Sequence, residues 1–301
     1  MYHTPVLLKE MLDILSPQNG GIYVDATFGS GGYSRAILNS ADCQVYAIDQ
    51  DEYTYTFYEK LSNDFPNRIH FFINKFSKIQ QILNNVQIKK VDGVVFDIGV
   101  SSMQLEDASR GFSFSKNGPL DMRMSTSLSG VDARMFVNTV SEVEMANVIY
   151  QYGGEKYSRK IARAIVNARN KNMINTTGEL ASIIRSVVSR SKNHSIDPAT
   201  RTFQAIRIWV NKELEELEKG IACAANILNQ GGKIIVISFH SLEDRIVKVI
   251  FKLLCDGKSV NLLNLGLGFQ LINKKIIRPT AEEIHSNPRA RSAKLRAILK
   301  L

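Results

Sequence analysis

Short apolar, β-branched runs recur through the first hundred residues: Ile22-Tyr23-Val24-Asp25, Val45-Tyr46-Ala47-Ile48-Asp49, Ile69 to Ile73, and Val94-Val95-Phe96-Asp97. Three of the four close on an aspartate. Between them, apolar positions return at helical spacing over Tyr33 to Leu38, Tyr53 to Leu61 and Ile79 to Leu83. Strand-length apolar runs alternating with helices predict right-handed βαβ units around a buried parallel sheet.

After Asp97 the rhythm breaks. No strand pattern is present from about Gln104 to about Pro198; a Gly-, Ser- and Met-rich loop, Arg110 to Gly130, leads into amphipathic helices. Ser141 with Glu144 three residues on reads as a capping box. Thr177, followed by Leu180, Ile183, Ile184, Val187 and Val188, carries an apolar stripe at helical period. The first pattern then resumes. One long helix is predicted over Phe203 to Leu228, ending at Gly231-Gly232, then a strand over Lys233 to Phe239 and strand-like Ile276-Ile277 and Leu295 to Leu299. The expected organisation is a discontinuous α/β domain, residues 1–104 and 199–301, interrupted by an all-helical insertion, 105–198.

The composition suits such a core: 301 residues, 44% hydrophobic and 22% charged. Lys and Arg number 38 against 29 Asp and Glu, a formal net charge of +9, which favours an anionic partner such as nucleic acid and equally fits a solvated basic surface. Three cysteines, Cys43, Cys223 and Cys255, show no C-x-x-C spacing, so neither a disulfide framework nor a thiolate zinc site is expected. The five histidines lack ligand spacing, and no catalytic metal is expected. Met1 to Leu12 does not read as a signal peptide. No apolar run approaches the roughly 18 residues that span a bilayer. A cytoplasmic protein is expected, without a membrane partner.

The chemistry concentrates in Asp25-Ala26-Thr27-Phe28-Gly29-Ser30-Gly31-Gly32-Tyr33-Ser34, directly after the first strand. Glycines there let backbone approach a ligand, and a helix N-terminus offers free N–H groups. A dinucleotide fingerprint needs glycine where Ser34 stands. The D-x-x-x-G-x-G-G pattern instead suits S-adenosylmethionine, whose amino group Asp25 can receive; the same loop also reads as a mere tight connection. Asp49, at the end of the second strand, stands where an α/β site places an acid for the ribose hydroxyls, or caps a helix, a role Asp51 can also fill. Asp97 ends the fourth strand, outside whose carboxyl end ligands bind in such sheets.

Methylation at pyrimidine carbon-5 needs a cysteine nucleophile, and the cysteines here lie off the expected site. Transfer to an exocyclic amine needs only an acceptor for its N–H and in-line placement. Asp97, Ser101 and Ser102 offer such acceptors, and the serines are equally ordinary turn residues. Lys156, Arg159, Lys160, Arg163, Arg169 and Lys171 surround the single acid Glu155, and Arg289, Arg291, Lys294, Arg296 and Lys300 form a second basic set. Each is a phosphate-backbone track or a solvated helix face. Phe112, Phe114 and Trp209 are candidate stacking rings, Trp209 at core-like helical spacing. His240 either touches substrate or caps the following helix. Two further classes stay open on residues alone: a nicotinamide-dependent oxidoreductase, against which Ser34 argues, and a non-catalytic RNA-binding factor.

Long phrases carry a resemblance: His3-Thr4-Pro5-Val6-Leu7-Leu8, Asp25 to Ser34, Asp97 to Gln104, Arg110-Gly111-Phe112-Ser113-Phe114, Gly118 to Met124, Ala199 to Ala205, Ser238 to Lys248 and Asn287 to Ser292. Over essentially its whole length the chain resembles the bacterial 16S (small-subunit) ribosomal RNA cytidine-N4-methyltransferase family. The resemblance implies a class I (Rossmann-like) S-adenosylmethionine-dependent methyltransferase sheet with an inserted helical domain that recognises RNA. It implies transfer to the N4 amine of a cytidine in the decoding region of 16S rRNA, within the small ribosomal subunit, and leaves a homodimer open. Its cofactor contacts fall on Gly31, Gly32, Tyr33, Asp49, Phe76, Asp97 and Gln104, beside Asp25 and Gly29 of the loop. Candidate substrate contacts are Arg110, Phe112, Phe114, Arg201, His240, Arg289 and Arg291. Two positions depart from the family: Tyr33 replaces a histidine, where a backbone contact tolerates the change, and Met103 replaces a proline, which loosens the turn before Gln104.

Overall fold

The computed structural model describes residues 5–128, 130–188, 197–258 and 268–301. His3 and Thr4 of the first quoted phrase lie outside these. In chain order the first part runs α1 (Leu8–Leu15), β1 (Ile22–Asp25), α2 (Gly32–Ser40), β2 (Gln44–Asp49), α3 (Tyr55–Asp64), β3 (Ile69–Ile73), α4 (Ile79–Asn85) and β4 (Val91–Asp97). The helical part follows: α5 (Ser102–Glu106), α6 (Ala133–Thr139), α7 (Glu142–Gly153), α8 (Ser158–Arg169), α9 (Thr177–Val187) and α10 (Ala199–Asn211). The chain then returns through α11 (Glu213–Ile227), β5 (Leu228–Ser238), α12 (Ser241–Cys255), β6 (Phe269–Leu271), α13 (Ala281–Ser286) and β7 (Lys294–Lys300).

The strands form one sheet in the order β3-β2-β1-β4-β5-β7-β6. The first five are parallel; β7 runs antiparallel between β5 and β6. Successive residues of a strand face opposite sides, so each strand feeds two cores. Val94 and Phe96 of β4 and Ile234 and Val236 of β5 meet α4, α11 and α12 on one face. Val95, Ile235 and Ile237 meet α1 and α2 on the other. This double burial explains the continuous apolar runs in the sequence.

The chain divides into two compact units, residues 1–99 with 214–301, and residues 100–213. Both boundaries differ from the expected 104/105 and 198/199. The predicted single helix from Phe203 to Leu228 is two helices, α10 and α11, broken at Lys212, which takes a left-handed φ of 54°. Ala199, Phe203, Ala205 and Ile206 of α10 bury into the core of the inserted unit, with Met145 and Ile149 of α7. That burial carries α10 out of the sheet domain. Strand β5 starts earlier than Lys233, and its register against β4 slips between Val91 and Gly93. Ile277 makes only an isolated bridge to Leu295, while β6 was not anticipated.

No strand occurs among the described residues of the insertion. Its helices are capped as the sequence indicates. The Ser141 hydroxyl accepts the Glu144 N–H at 3.2 Å, one arm of the predicted capping box. At α9, Thr176 and Glu179 complete both arms.

Candidate active site

Strands β1, β2 and β4 end side by side, and their last residues are Asp25, Asp49 and Asp97. Asp25 is fully buried. Its Oδ2 accepts the Ser34 hydroxyl at 2.7 Å and the Ser34 N–H at 3.1 Å, and its Oδ1 accepts the Thr27 N–H at 3.3 Å. Asp25 thereby folds the glycine loop back onto the first turn of α2. Ser34, the residue that breaks the dinucleotide fingerprint, is what binds it there.

Asp49 ties the same loop from the other side. Its Oδ2 accepts the Gly29 N–H at 2.7 Å and its Oδ1 the Asp51 N–H at 2.9 Å. Asp51, not Asp49, caps the short 3-10 turn that follows, through the Tyr53 N–H. Thr27, which sequence reasoning passed over, accepts the Asp97 N–H at 2.7 Å and so joins the ends of β1 and β4. Its only signal was its place between two candidate acids.

Gly31 ends this loop as the N-cap of α2 at φ 80°; a Cβ there would lie 2.9 Å from the Phe28 ring. Gly32 packs against Pro5, where a Cβ would come within 2.3 Å of the ring carbon Cγ. Tyr33 is buried and donates its hydroxyl proton to the Val6 carbonyl. Phe76 stands edge-on to Phe96, centroids 5.5 Å apart, and rests against Gly220 of α11.

The electrostatics of this corner follow from crowding anions where water is excluded. Burial pushes the Asp25 carboxyl up to about 6 against its hydrogen bonds from Ser34 and Thr27. Burial, with Asp51 and Asp25 nearby, pushes Asp49 up to about 7. Burial, Asp25 and Glu243 push Asp97 up to about 8. Oδ1 of Asp97 is buried with no hydrogen-bond partner among the described residues.

The remaining candidates divide by environment. Ser101 is the N-cap of α5: its hydroxyl accepts the Gln104 N–H at 3.2 Å, and Gln104 Oε1 accepts the Ser101 N–H at 3.0 Å. This closed box spans Ser102 and Met103, so the turn before Gln104 is hydrogen-bonded with methionine in place of the family's proline. The Ser101 hydroxyl and the Gln104 amide oxygen each serve as a helix cap here. Arg110 donates to the carbonyls of Arg123 and Met124 and holds the Met-rich loop. Phe112 is buried, and Phe114 packs edge-on to Phe203 at 4.9 Å. Neither is an open stacking platform; Trp209 packs on Phe136 as its spacing suggested.

His240 resolves as a helix cap, its Nδ1 accepting the Glu243 N–H at 3.4 Å while Glu243 Oε2 accepts the Phe239 and His240 N–H groups. Arg289 and Arg291 are exposed on the 3-10 turn Pro288–Ser292. The rest of that basic set is structural: Lys294 and Arg296 pair with Asp244 at 3.6 and 2.7 Å, and Lys300 donates to the Leu228 carbonyl. In the other set, Arg169 donates to the carbonyls of Val137 and Val140, and Lys156 and Lys171 fall outside helix α8.

A parallel sheet with strand order 3-2-1-4-5, extended by an antiparallel β7 inserted before β6, and a glycine loop after β1 facing acids at the next strand ends, defines a class I methyltransferase. The chain belongs to the MraW methylase family, whose model matches residues 1–301. It is 99% identical over 301 residues to ribosomal RNA small subunit methyltransferase H of Ehrlichia ruminantium (strain Gardel), all of both chains being covered. The protein of that name from Ehrlichia chaffeensis is 77% identical over 299 residues, 99% of this chain and all of the relative. That from the Wolbachia of Drosophila simulans is 63% identical over the full length of both.

Proposed function

We propose that this chain methylates the exocyclic N4 amine of a cytidine in the decoding region of 16S rRNA, with S-adenosylmethionine as donor. The rRNA target follows from the family to which the chain belongs, and the donor is supported by the three crowded carboxyls at the ends of β1, β2 and β4, with the buried, unpartnered Oδ1 of Asp97 among them. Such a corner is destabilised by its own charge and is relieved by a cation. A ligand bearing both a sulfonium and an ammonium fits that demand; a dinucleotide pyrophosphate is repelled by it.

Bound there, S-adenosylmethionine supplies an electrophilic methyl group. The backbone of Gly29 to Tyr33 would line its approach, Asp49 would present its carboxylate to the ribose hydroxyls, and Phe76 would offer its ring near the end of β3. Asp97, once ionised, would accept an N–H of the cytidine amine through Oδ1 and so hold that amine at the end of β4. Asp25 and Thr27 are positioning residues that hold the loop and the end of β4 in place.

The inserted unit, residues 100–213, recognises the RNA in this reading, and the substrate is ribosomal RNA in the small subunit. No described helix is long and apolar enough to cross a membrane. The cytoplasm, where subunits are assembled, is the proposed compartment. The test is incubation with labelled S-adenosylmethionine and small subunits lacking the modification. One cytidine should take the label and Asp97→Asn should abolish it; an unlabelled subunit overturns the reading.

A further inference from the structure

The described part of the inserted unit carries a cationic corner in which three exposed side chains, Lys156, Arg159 and Lys160, have no carboxylate partner. Helix α7 ends at Gly153, and Gly154 turns the chain in a left-handed conformation. A Cβ at Gly153 would lie 2.4 Å from the Arg201 carbonyl oxygen, so the end of α7 meets α10 only because that residue is glycine. Glu155 then buries its side chain in the turn. Its Oε1 accepts the Tyr157 N–H at 2.9 Å, and its Oε2 lies 3.9 Å from Arg201 Nη1. One buried carboxylate thus brings half-exposed Arg201 to the head of α8, a proximity that the sequence does not display.

Around that turn, Tyr157 is 38% exposed, with the ammonium of Lys156 at 4.9 Å and that of Lys160 at 5.7 Å from its ring centroid. Lys156, Arg159 and Lys160 are exposed, and among the described residues none of them has a carboxylate partner. Their neighbours differ. Arg163 pairs with Glu142, and Arg169 is held by two carbonyls. Tyr150, whose carbonyl accepts the Gly154 N–H, is 62% exposed one turn earlier.

We infer that this corner, Lys156, Tyr157, Arg159 and Lys160 with Arg201, docks single-stranded RNA, the cations on phosphates and a base stacked on Tyr157. The inference rests on the RNA-methylating reading and names the surface of the inserted unit that would grip the strand. Single strands are bound by this pairing of mobile cations with a fixed aromatic face, since every base has a face to stack. An acidic protein surface needs only the charges, whereas an exposed aromatic side chain set among them is what a nucleobase uses.

The test titrates the full-length protein against a short fluorescein-labelled single-stranded RNA over a range of salt. Replacing Lys156, Arg159 and Lys160 together by glutamine should weaken binding and lower the log–log salt slope by about 2, at roughly 0.7 per phosphate contact on a single strand. Tyr157→Ala should weaken binding roughly tenfold with the slope unchanged, and Tyr157→Phe should bind like the parent. Circular dichroism checks that each variant is folded. A triple variant with parental slope and affinity, or Tyr157→Ala with parental affinity, overturns the inference. Variants that bind the RNA normally yet lose small-subunit particles would assign the corner to a ribosomal protein and overturn it as well. Parental methylation of unmodified subunits is measured alongside. Its absence sinks the functional reading, whereas its presence with unchanged RNA binding in the variants sinks this inference alone.

Discussion

The backbone N–H of Gly29 points at Oδ2 of Asp49, 2.7 Å away, so the acid that ends β2 also sets the shape of the loop that follows β1. Ligand contact and loop geometry are thereby coupled through one carboxylate. Asp49→Asn replaces a charge-assisted bond with a neutral one and turns an amide NH2 toward one of two N–H groups, Gly29 or Asp51. Affinity for S-adenosylhomocysteine, measured by calorimetry, should fall about tenfold or more, while the melting temperature drops by only a few degrees. Parental affinity in this variant would remove Asp49 from the cofactor site.

The three strand-end carboxyls make both stability and binding depend on pH. Each has a folded-state value, about 6 for Asp25, about 7 for Asp49 and about 8 for Asp97, above the ordinary 3.8. Between these limits the folded protein holds protons that the unfolded chain has released, so stability falls as pH rises. The contribution is complete below about pH 4 and is lost progressively through pH 6 to 8. Chemical denaturation of the ligand-free protein should therefore show declining stability from pH 5 to pH 8. A cation favours the ionised forms, so S-adenosylmethionine should bind more tightly across the same interval, with proton release. S-adenosylhomocysteine, which lacks the sulfonium charge, should show a shallower dependence. Equal slopes for the two ligands would mean that the carboxyls do not face the sulfur.

Gly31→Ala tests the loop's tight corner. The residue sits at φ 80°, where a side chain costs about 1–2 kcal/mol, and its Cβ would press on the Phe28 ring. Gly20 has φ 75° with nothing within 4 Å of its would-be Cβ, so Gly20→Ala reports the backbone strain alone. Gly31→Ala should be the more destabilising of the two by at least about 1 kcal/mol in urea unfolding and should also lose cofactor affinity. Equal stabilities would show that Phe28 simply moves aside.

Asn211 is buried at the end of α10 and makes three bonds: from its Nδ2 to the carbonyls of Met122 and Arg207, and from the Met124 N–H to its Oδ1. It holds the Met-rich loop, in which Met122 takes φ 61°. Asn211→Ala strands buried polar groups on that loop and should destabilise the protein by about 3 kcal/mol, read as a lower urea midpoint at unchanged slope. A variant of parental stability would mean the loop stands on its own contacts, such as the Arg110 bonds.

The sheet was legible in the sequence because its strands are buried on both faces and three of those read early end on aspartates; Val94-Val95-Phe96-Asp97 carries the entire signal in four residues. The break at Lys212 was not, because a lysine in a left-handed conformation has no compositional mark, and both sides of it continue a helical apolar stripe. The candidate acids were correctly placed at strand ends, but which way each points is decided by neighbours: Ser34 takes both bonds to Asp25 Oδ2, while Asp97 Oδ1 is left over. Charge and ring counts misled most. Lys294 and Arg296 look like Arg289 and Arg291 in sequence, yet Asp244, fifty positions earlier, claims the first two. Phe112 and Phe114 lie in a polar loop that folds them inward, which no local pattern records.

Val94 of β4 is the partner of Ile234 of β5, and the whole inserted unit lies between them along the chain. During synthesis β1 to β4 therefore emerge as a sheet fragment whose β4 edge has no neighbour until more than a hundred further residues have been made. Such non-local pairing is slow and leaves an aggregation-prone edge exposed in the interim. The inserted unit, built from local helical contacts, is free to condense first. The point at which the sheet is split thus makes β4 wait for its β5 neighbour until all the inserted helices have been synthesised.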